Sequence, residues 1–374
     1  MNVLISIDSF KGSMTSMQAG RAAKAGILKA VPDADVTICP LADGGEGTTD
    51  ALVEGMGGEK IELEMTGPLR EKVNCYYGFI EDKNTAVMEM ASAAGLTLVD
   101  EKNPMSATTF GVGEMIADAV KRGCENIIIG IGGSATNDGG IGMLKALGYQ
   151  FLDENGKDVG DGAAALGKVQ KILDNKADTR LSKVNFMVAC DVDNPLCGKN
   201  GATYIFGVQK GVTEEMKPVI DSAMKCFADK TKEKLGISCE NVPGAGAAGG
   251  LGFAFLSYLN AKLVPGVKLV MQAADIEEKI KKADIVVTGE GRLDSQTVMG
   301  KAPIGVARLA KKYNKKVIAF AGSVSEDAVL CNENGIDAFF PIVRGIITLD
   351  EAVKTETAMK NMELTAEQVF RLMK

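Results

Sequence analysis

Five polar segments hold most of the side chains able to do chemistry. They are Asp8-Ser9-Phe10-Lys11-Gly12-Ser13, Ala42-Asp43-Gly44-Gly45-Glu46-Gly47-Thr48, Gly132-Gly133-Ser134-Ala135-Thr136-Asn137-Asp138-Gly139-Gly140, Asp191-Val192-Asp193-Asn194 and Gly289-Glu290-Gly291-Arg292-Leu293-Asp294. Each follows an apolar run that reads as a strand. In an open parallel sheet ligands collect where strand C-termini meet helix N-termini, because unpaired N–H groups and the helix dipole favour anions there. Glycine amides and hydroxyls can cradle phosphate, carboxylates can hold Mg²⁺, Lys or Arg can neutralise charge, and one carboxylate can take a proton from an attacking hydroxyl. That is the inventory of phosphoryl transfer to a small acceptor.

The chain of 374 residues contains no His and no Trp. Without imidazole, Ser-His-Asp and Cys-His catalysis and His-ligated zinc are excluded, so any acid or base must be a carboxylate, Lys, Tyr or Cys. A formal charge of −7 and 5% aromatics supply neither the basic field nor the stacking platforms that nucleic acid needs. Eight cysteines never form C-x-x-C, and the sequence opens without a signal core, which fits a reducing cytoplasm. Asn241 to Ala261 carries no charge, but only Leu251 to Leu259 is truly apolar, about half the ~20 residues of a membrane span. It reads as a buried helix.

Each chemical segment also has a plain structural reading. Asp43 with Glu46 has the spacing of a helix capping box, and Asp138 would cap the helix after it. Other nucleotide motifs compete poorly. Gly300-Lys301 is followed by Ala302, so no G-x-x-x-x-G-K-[ST] loop exists. Gly244 to Gly249 matches G-x-G-x-x-G but follows a poor strand.

The elements that must position these residues follow from hydrophobic periodicity. The first 60 or so residues read βαβα, with strands at Val3 to Ile7 and Val36 to Leu41 and with Ser13 and Thr15 as caps between them. Lys60 to Met65, Val73 to Phe79 and Thr85 to Met90 alternate as antiparallel strands. Strands at Asn126 to Ile131 and Phe186 to Cys190 follow, then Ile285 to Thr288, Val317 to Ala321 and Ala338 to Ile342 with helices between. Residues 350 to 373 form one helix or two, divided by a Thr365/Gln368 capping box. The expected class is α/β: a doubly wound, Rossmann-like parallel-sheet domain formed by residues 1–65 and 285–374, with a mixed α/β domain, 66–284, inserted and the active-site cleft between the two.

In order along the chain, DSFKGS (8–13), PLADGGEGT (40–48), GIGGSATNDGGIG (130–142), ACDVDNPL (189–196), PGAGAAGGLG (243–252) and TGEGRLDSQTVMGK (288–301) resemble the bacterial glycerate kinase family over almost the whole length. Ile7 stands where that pattern has Pro, and Val112 where a hydroxyl residue is common; neither removes a charge. The resemblance implies ATP- and Mg²⁺-dependent phosphorylation of D-glycerate in the cytoplasm, of the branch giving 2-phosphoglycerate, by a monomer or homodimer that binds neither nucleic acid nor membrane. The alternatives are an NAD(P)-dependent oxidoreductase and a non-catalytic binding protein for a small anion.

Chemical roles follow by inference. Lys11, with the hydroxyls of Ser9 and Ser13, would hold phosphate or the substrate carboxylate. Gly44, Gly45, Gly47 and Thr48, with Gly132, Gly133, Ser134, Asn137 and Asp138, would cradle the ATP phosphates. Asp43, Glu46, Glu290 and Asp294 would hold Mg²⁺, directly or through water. Asp8 or Asp191 would deprotonate the acceptor hydroxyl, and Arg292 or Lys301 would bind carboxylate or neutralise the transition state.

Overall fold

The structure, a computed structural model, describes residues 1–374. Thirteen strands occur in chain order: β1 (Asn2–Ile5), β2 (Asp35–Ile38), β3 (Glu59–Thr66), β4 (Lys72–Ile80), β5 (Thr85–Glu89), β6 (Asn126–Gly130) and β7 (Gln150–Leu152), then β8 (Lys171–Leu173), β9 (Asn185–Ala189), β10 (Lys262–Val264), β11 (Ile285–Leu293), β12 (Lys316–Val324) and β13 (Ala338–Pro341). They build an α/β protein of two compact units. One comprises residues 1–43, 50–58 and 267–374; the other comprises 44–49 and 59–266.

The first unit is a parallel five-stranded sheet in the order β13-β12-β11-β1-β2. Both faces of this sheet are covered, so its strands read as near-continuous apolar runs, and Val3-Leu4-Ile5 is buried on both sides. Val3, Ile5, Ile285, Val287, Ile318 and Phe320 pack with the helices Ser16–Ala30 and Thr355–Met373 on one face, while Leu4, Val286 and Ala319 are buried on the other. Gly26 lets the two helices touch: a Cβ there would lie 2.1 Å from the Glu363 carbonyl oxygen. Connections from β1 run to β2 on one side and those from β11 to β12 on the other, so the topological switch point lies between β1 and β11.

The second unit carries a six-stranded sheet, β10-β9-β6-β5-β4-β3, and a small β7-β8 hairpin. Its core gathers Tyr77, Met88, Ile116, Ile129, Phe151, Phe186, Phe227 and Phe253. Val112, one of the two departures noted above, is buried in this core.

Several expectations change at the strand ends. β11 does not stop at Thr288 but continues to Leu293, paired with β12 (Glu290↔Ala321, Arg292↔Ser323) after β1 has ended, so Glu290 and Arg292 sit on a two-stranded extension rather than a loop. β5 is antiparallel to β4 but parallel to β6, which makes it the strand where the sheet changes sense. Thr15 caps the first helix in a capping box with Gln18, whereas the Ser13 hydroxyl is buried without a partner. The helix Thr355–Met373 passes unbroken through Thr365, whose side chain is buried and caps nothing; the N-cap hydroxyl belongs to Thr348, ahead of a separate short turn of helix. The anticipated domain limits near 65 and 284 fall instead at 58 and 266. β3 pairs with β4 of the second unit, and residues 267–282 join the first.

Candidate functional site

In the first unit the residues singled out by type gather at the switch point. The β1–β11 ladder ends with the Asp8 N–H donating to the Gly289 carbonyl at 2.9 Å. The buried Ser16 hydroxyl fixes this turn by donating to the Ile7 carbonyl at 2.6 Å and accepting from the Leu41 N–H at 3.2 Å. The Asp8 carboxylate accepts from its neighbour's N–H, Ser9 N to Oδ1, at 2.7 Å. Burial pushes the Asp8 carboxyl up to about 7, with Asp43 and Glu290 nearby adding to the rise and the Ser9 bond and Lys11 opposing it.

Glu290 is buried, and its carboxyl is also raised, first by burial and against the hydrogen bond from the Thr297 hydroxyl (2.6 Å to Oε1). Lys301 Nζ stands 3.6 Å from Glu290 Oε2 and 3.7 Å from Asp294 Oδ1. Arg292 Nε lies 3.4 Å from Asp294 Oδ2, with 67% of its side chain exposed. Lys11 Nζ is 3.7 Å from Asp43 Oδ2 and largely exposed, a pairing that contributes little stability and leaves the ammonium available. Asp8, Lys11, Asp43, Glu290, Arg292, Asp294 and Lys301 therefore belong to one constellation, and Ser9 and Ser13 lie on the loop that carries Lys11.

In the second unit three glycine-bearing segments meet at the C-terminal ends of β5, β6 and β9. A Cβ on Gly130 would lie 2.5 Å from the Gly44 carbonyl oxygen, and one on Gly44 would meet Gly266 and Ala189 at 2.6 and 2.9 Å. Only backbone fits there, and Gly44 has φ +87°. The helix beginning at Thr48 hands its Thr49 N–H to Glu89 Oε1 at 2.9 Å. Gly132, Gly133, Glu46 and Gly47 are exposed, with Gly45 half-buried, while the Thr48 hydroxyl is buried without a partner.

Three of the residues named from the sequence, Asp138, Asn137 and Asp191, are engaged by the fold itself. Asp138 is fully buried, and its carboxylate accepts from the Thr109 N–H and hydroxyl and from the N–H groups of Gly140 and Gly142, at 2.9 to 3.2 Å. It holds the loop instead of reaching a ligand, even though burial raises its carboxyl. Asn137 is likewise buried, donating to the Thr203 hydroxyl at 3.0 Å. Asp191 remains exposed, but its Oδ1 accepts from the Gly266 N–H at 3.0 Å and so anchors that turn. Glu46 belongs to the second unit, and Asp43, Glu290 and Asp294 belong to the first.

Sequence reasoning missed Lys210. Its ammonium is buried and donates to the Ser134 hydroxyl and the Thr136 carbonyl, both at 2.7 Å, and burial depresses it to about 7. A lysine before Gly211 at the end of a single 3₁₀ turn looks like a surface residue; nothing local marks it. Thr109 and Thr297 were missed as partners of Asp138 and Glu290. The G-x-G-x-x-G segment proves to be a packing device: a Cβ on Gly249 would lie 2.2 Å from the Thr136 carbonyl oxygen and one on Gly250 2.8 Å from Gly139 Cα.

A parallel sheet with acids and lysines at its switch point, and a second sheet ending in exposed glycine loops, mark an α/β protein with the polar inventory of an enzyme that handles anionic substrates. The model of the glycerate kinase family matches residues 3–374. Glycerate kinase of Bacillus subtilis is 48% identical over 371 residues, covering 99% of this chain and 97% of the relative. Glycerate 2-kinase of Escherichia coli is 45% identical over 356 residues, covering 95% and 93%. A crystal structure from Salmonella typhimurium LT2, of a protein designated glycerate kinase 2, superposes with a TM-score of 0.92 at 43% identity, covering 100% of this chain and 98% of the other. The chain belongs to the glycerate kinase family.

Proposed function

We propose that this protein transfers the γ-phosphoryl group of ATP to a hydroxyl of D-glycerate, giving 2-phosphoglycerate. The observation that carries the reading is the cluster of Asp8, Asp43, Glu290 and Asp294 with Lys11 and Lys301 at the switch point of one sheet. Family membership supports the reaction, and the name of the E. coli relative supports attack through the 2-hydroxyl.

Asp8 is the acceptor for the proton of the attacking hydroxyl. Its raised proton affinity suits a base working near neutrality. Lys11 is free enough to follow the transferring phosphoryl group, and Lys301 offsets charge beside Glu290. Arg292, exposed and planar, suits the substrate carboxylate. The exposed amides of Gly132 and Gly133 are donors for an anionic group.

The donor set fits Mg²⁺: hard carboxylate oxygens, with Asp8 and Glu290 raised first by burial and further by their carboxylate neighbours. No three of these side chains converge closely enough to hold a metal ion on their own, so Glu290, Asp294 and Asp43 would bind it with water and phosphate completing the shell. Mg²⁺ held there supplies neutralisation of the phosphate oxygens. None of the eight cysteines forms a disulfide, which fits a reducing cytoplasm.

Incubation with ATP, Mg²⁺ and D-glycerate, followed by phosphorus NMR, tests the proposal and identifies the product. A 2-phosphoglycerate resonance is expected, and Asp8→Asn should lower kcat by about 10² or more with KM little changed. No turnover by the unaltered protein would overturn the reading, and an unimpaired Asp8→Asn would remove the base.

A further inference from the structure

Beside the acid cluster, within the first unit, lies a cavity of about 350 Å³. Its floor is Phe10, Gly291 of β11 and Gly322 of β12, and its walls include Ile342, Val353 and the helix Thr355–Met373 near Asn361. The lining is mostly carbon, and its polar side chains are Lys11, Ser13, Ser323, Asn361 and Thr348, whose hydroxyl accepts from the Glu351 N–H. The Ser13 hydroxyl is buried and has no hydrogen-bond partner, and neither the Ser323 hydroxyl nor the Asn361 carboxamide is engaged by the fold. Lys11 stands at both places: it lines the cavity and lies 3.7 Å from Asp43. The space is far larger than a three-carbon hydroxy acid needs and is within the range of ligand sites generally.

We propose that this cavity takes the adenine and ribose of ATP, with Asn361 reading the base edge and Lys11 marking the exit of the phosphate chain toward the acid cluster. The proposal deepens the kinase reading above and rests on it. An occupant with a flat apolar head and an anionic tail is the one chemistry that uses both ends. The head needs carbon walls with a few unsatisfied polar groups. The tail needs a cation at the mouth and a place at the strand ends, where open α/β sheets bind ligands. A carboxamide matches the paired donor and acceptor edge of adenine. Gly291 keeps the floor open. It shares the sheet face of Ile285 and Val287, and its absent Cβ would make only an ordinary 3.5 Å contact with Phe10 Cα. Nothing in the backbone forbids a side chain there, so the glycine is explained by what must fit above it.

That geometry supplies the test. Gly291→Val fills the floor without backbone strain, and Asn361→Leu removes the amide while keeping the helix. Each should raise the KM for ATP about tenfold or more, leave the KM for D-glycerate unchanged, and leave the affinity for inorganic tripolyphosphate unchanged by calorimetry. An unchanged KM for ATP in either folded variant overturns the proposal while leaving the kinase reading intact. Failure of the unaltered protein to phosphorylate glycerate is the separate failure of that reading. Should a variant not fold, photolabelling of the unaltered protein with 8-azido-ATP decides the matter. Label on peptides spanning 342–361 supports the assignment, and label confined to other peptides overturns it.

Discussion

Replacing Lys210 with Met would expose how a buried amine couples loop geometry to pH. Lys210 is enclosed by the second unit, with Nζ donating to Ser134 and Thr136, and burial depresses it from 10.5 to about 7. Because the folded value lies below the unfolded one, the native state binds fewer protons than the unfolded chain across the window between them. Stability from this group is therefore complete above the unfolded value and is lost as pH falls toward the folded value. Between pH 7 and pH 9 the depression is worth roughly 2 kcal/mol of added stability. Met matches the length of the stem but leaves the Thr136 carbonyl and Ser134 hydroxyl without their donor, costing about 1–3 kcal/mol, which offsets the removed burial penalty. The level of stability is thus ambiguous and the slope is diagnostic. Urea unfolding followed by far-UV circular dichroism at pH 7, 8 and 9 should show the unaltered protein gaining on Lys210→Met by about 2 kcal/mol across the range. The raised thiols of Cys75, Cys124 and Cys197 act with opposite sign at the alkaline end, and they cancel between the two proteins. Parallel pH curves would refute the idea of a neutralised amine at this position.

Asp138→Asn should destabilise the second unit by about 3 kcal/mol, since an amide nitrogen cannot accept from the four donors that converge on the carboxylate; an unchanged urea midpoint would contradict this. Gly249→Ala places a methyl 2.2 Å from the Thr136 carbonyl oxygen at φ +67° and should cost more than about 1 kcal/mol. Its effect should include a raised KM for ATP if the 132–138 loop shifts with it, and calorimetry with tripolyphosphate would register the same displacement.

Much of the first unit was legible because parallel strands buried on both faces leave unmistakable apolar runs, and the loops that follow them carry their acids in plain view. Asp8 and Asp43 could be placed at the strand ends from that rule alone, whereas Glu290 lies within the extended β11. What could not be read was direction. Asp138 and Glu290 look alike in sequence, each an acid beside glycines after a strand, yet one is turned inward and saturated with donors while the other borders Lys301. That difference is made by Thr109 and Thr297, whose contributions depend on which helix or turn lies across the strand end. Lys210 was invisible for the same reason: it lies more than seventy residues beyond the loop that it supports. The extension of β11 to Leu293 was missed because glycines at 289 and 291 read as loop, when Gly289 is what allows the backbone of Phe320 to lie close, its absent Cβ falling 2.1 Å from the Phe320 carbonyl oxygen.

The first sheet has a consequence for synthesis. β1 emerges early, yet its neighbour β11 and the helix that covers its face through Gly26 and Glu363 lie more than 280 and 350 residues further on. At ~5–20 residues per second, the nascent β1 segment waits many seconds with one edge unpaired while residues 59–266, contiguous apart from 44–49, can already fold. The chain thus delivers its insertion before the strands that complete its frame, and the open edge of β1 is the stretch left unpaired in the interval.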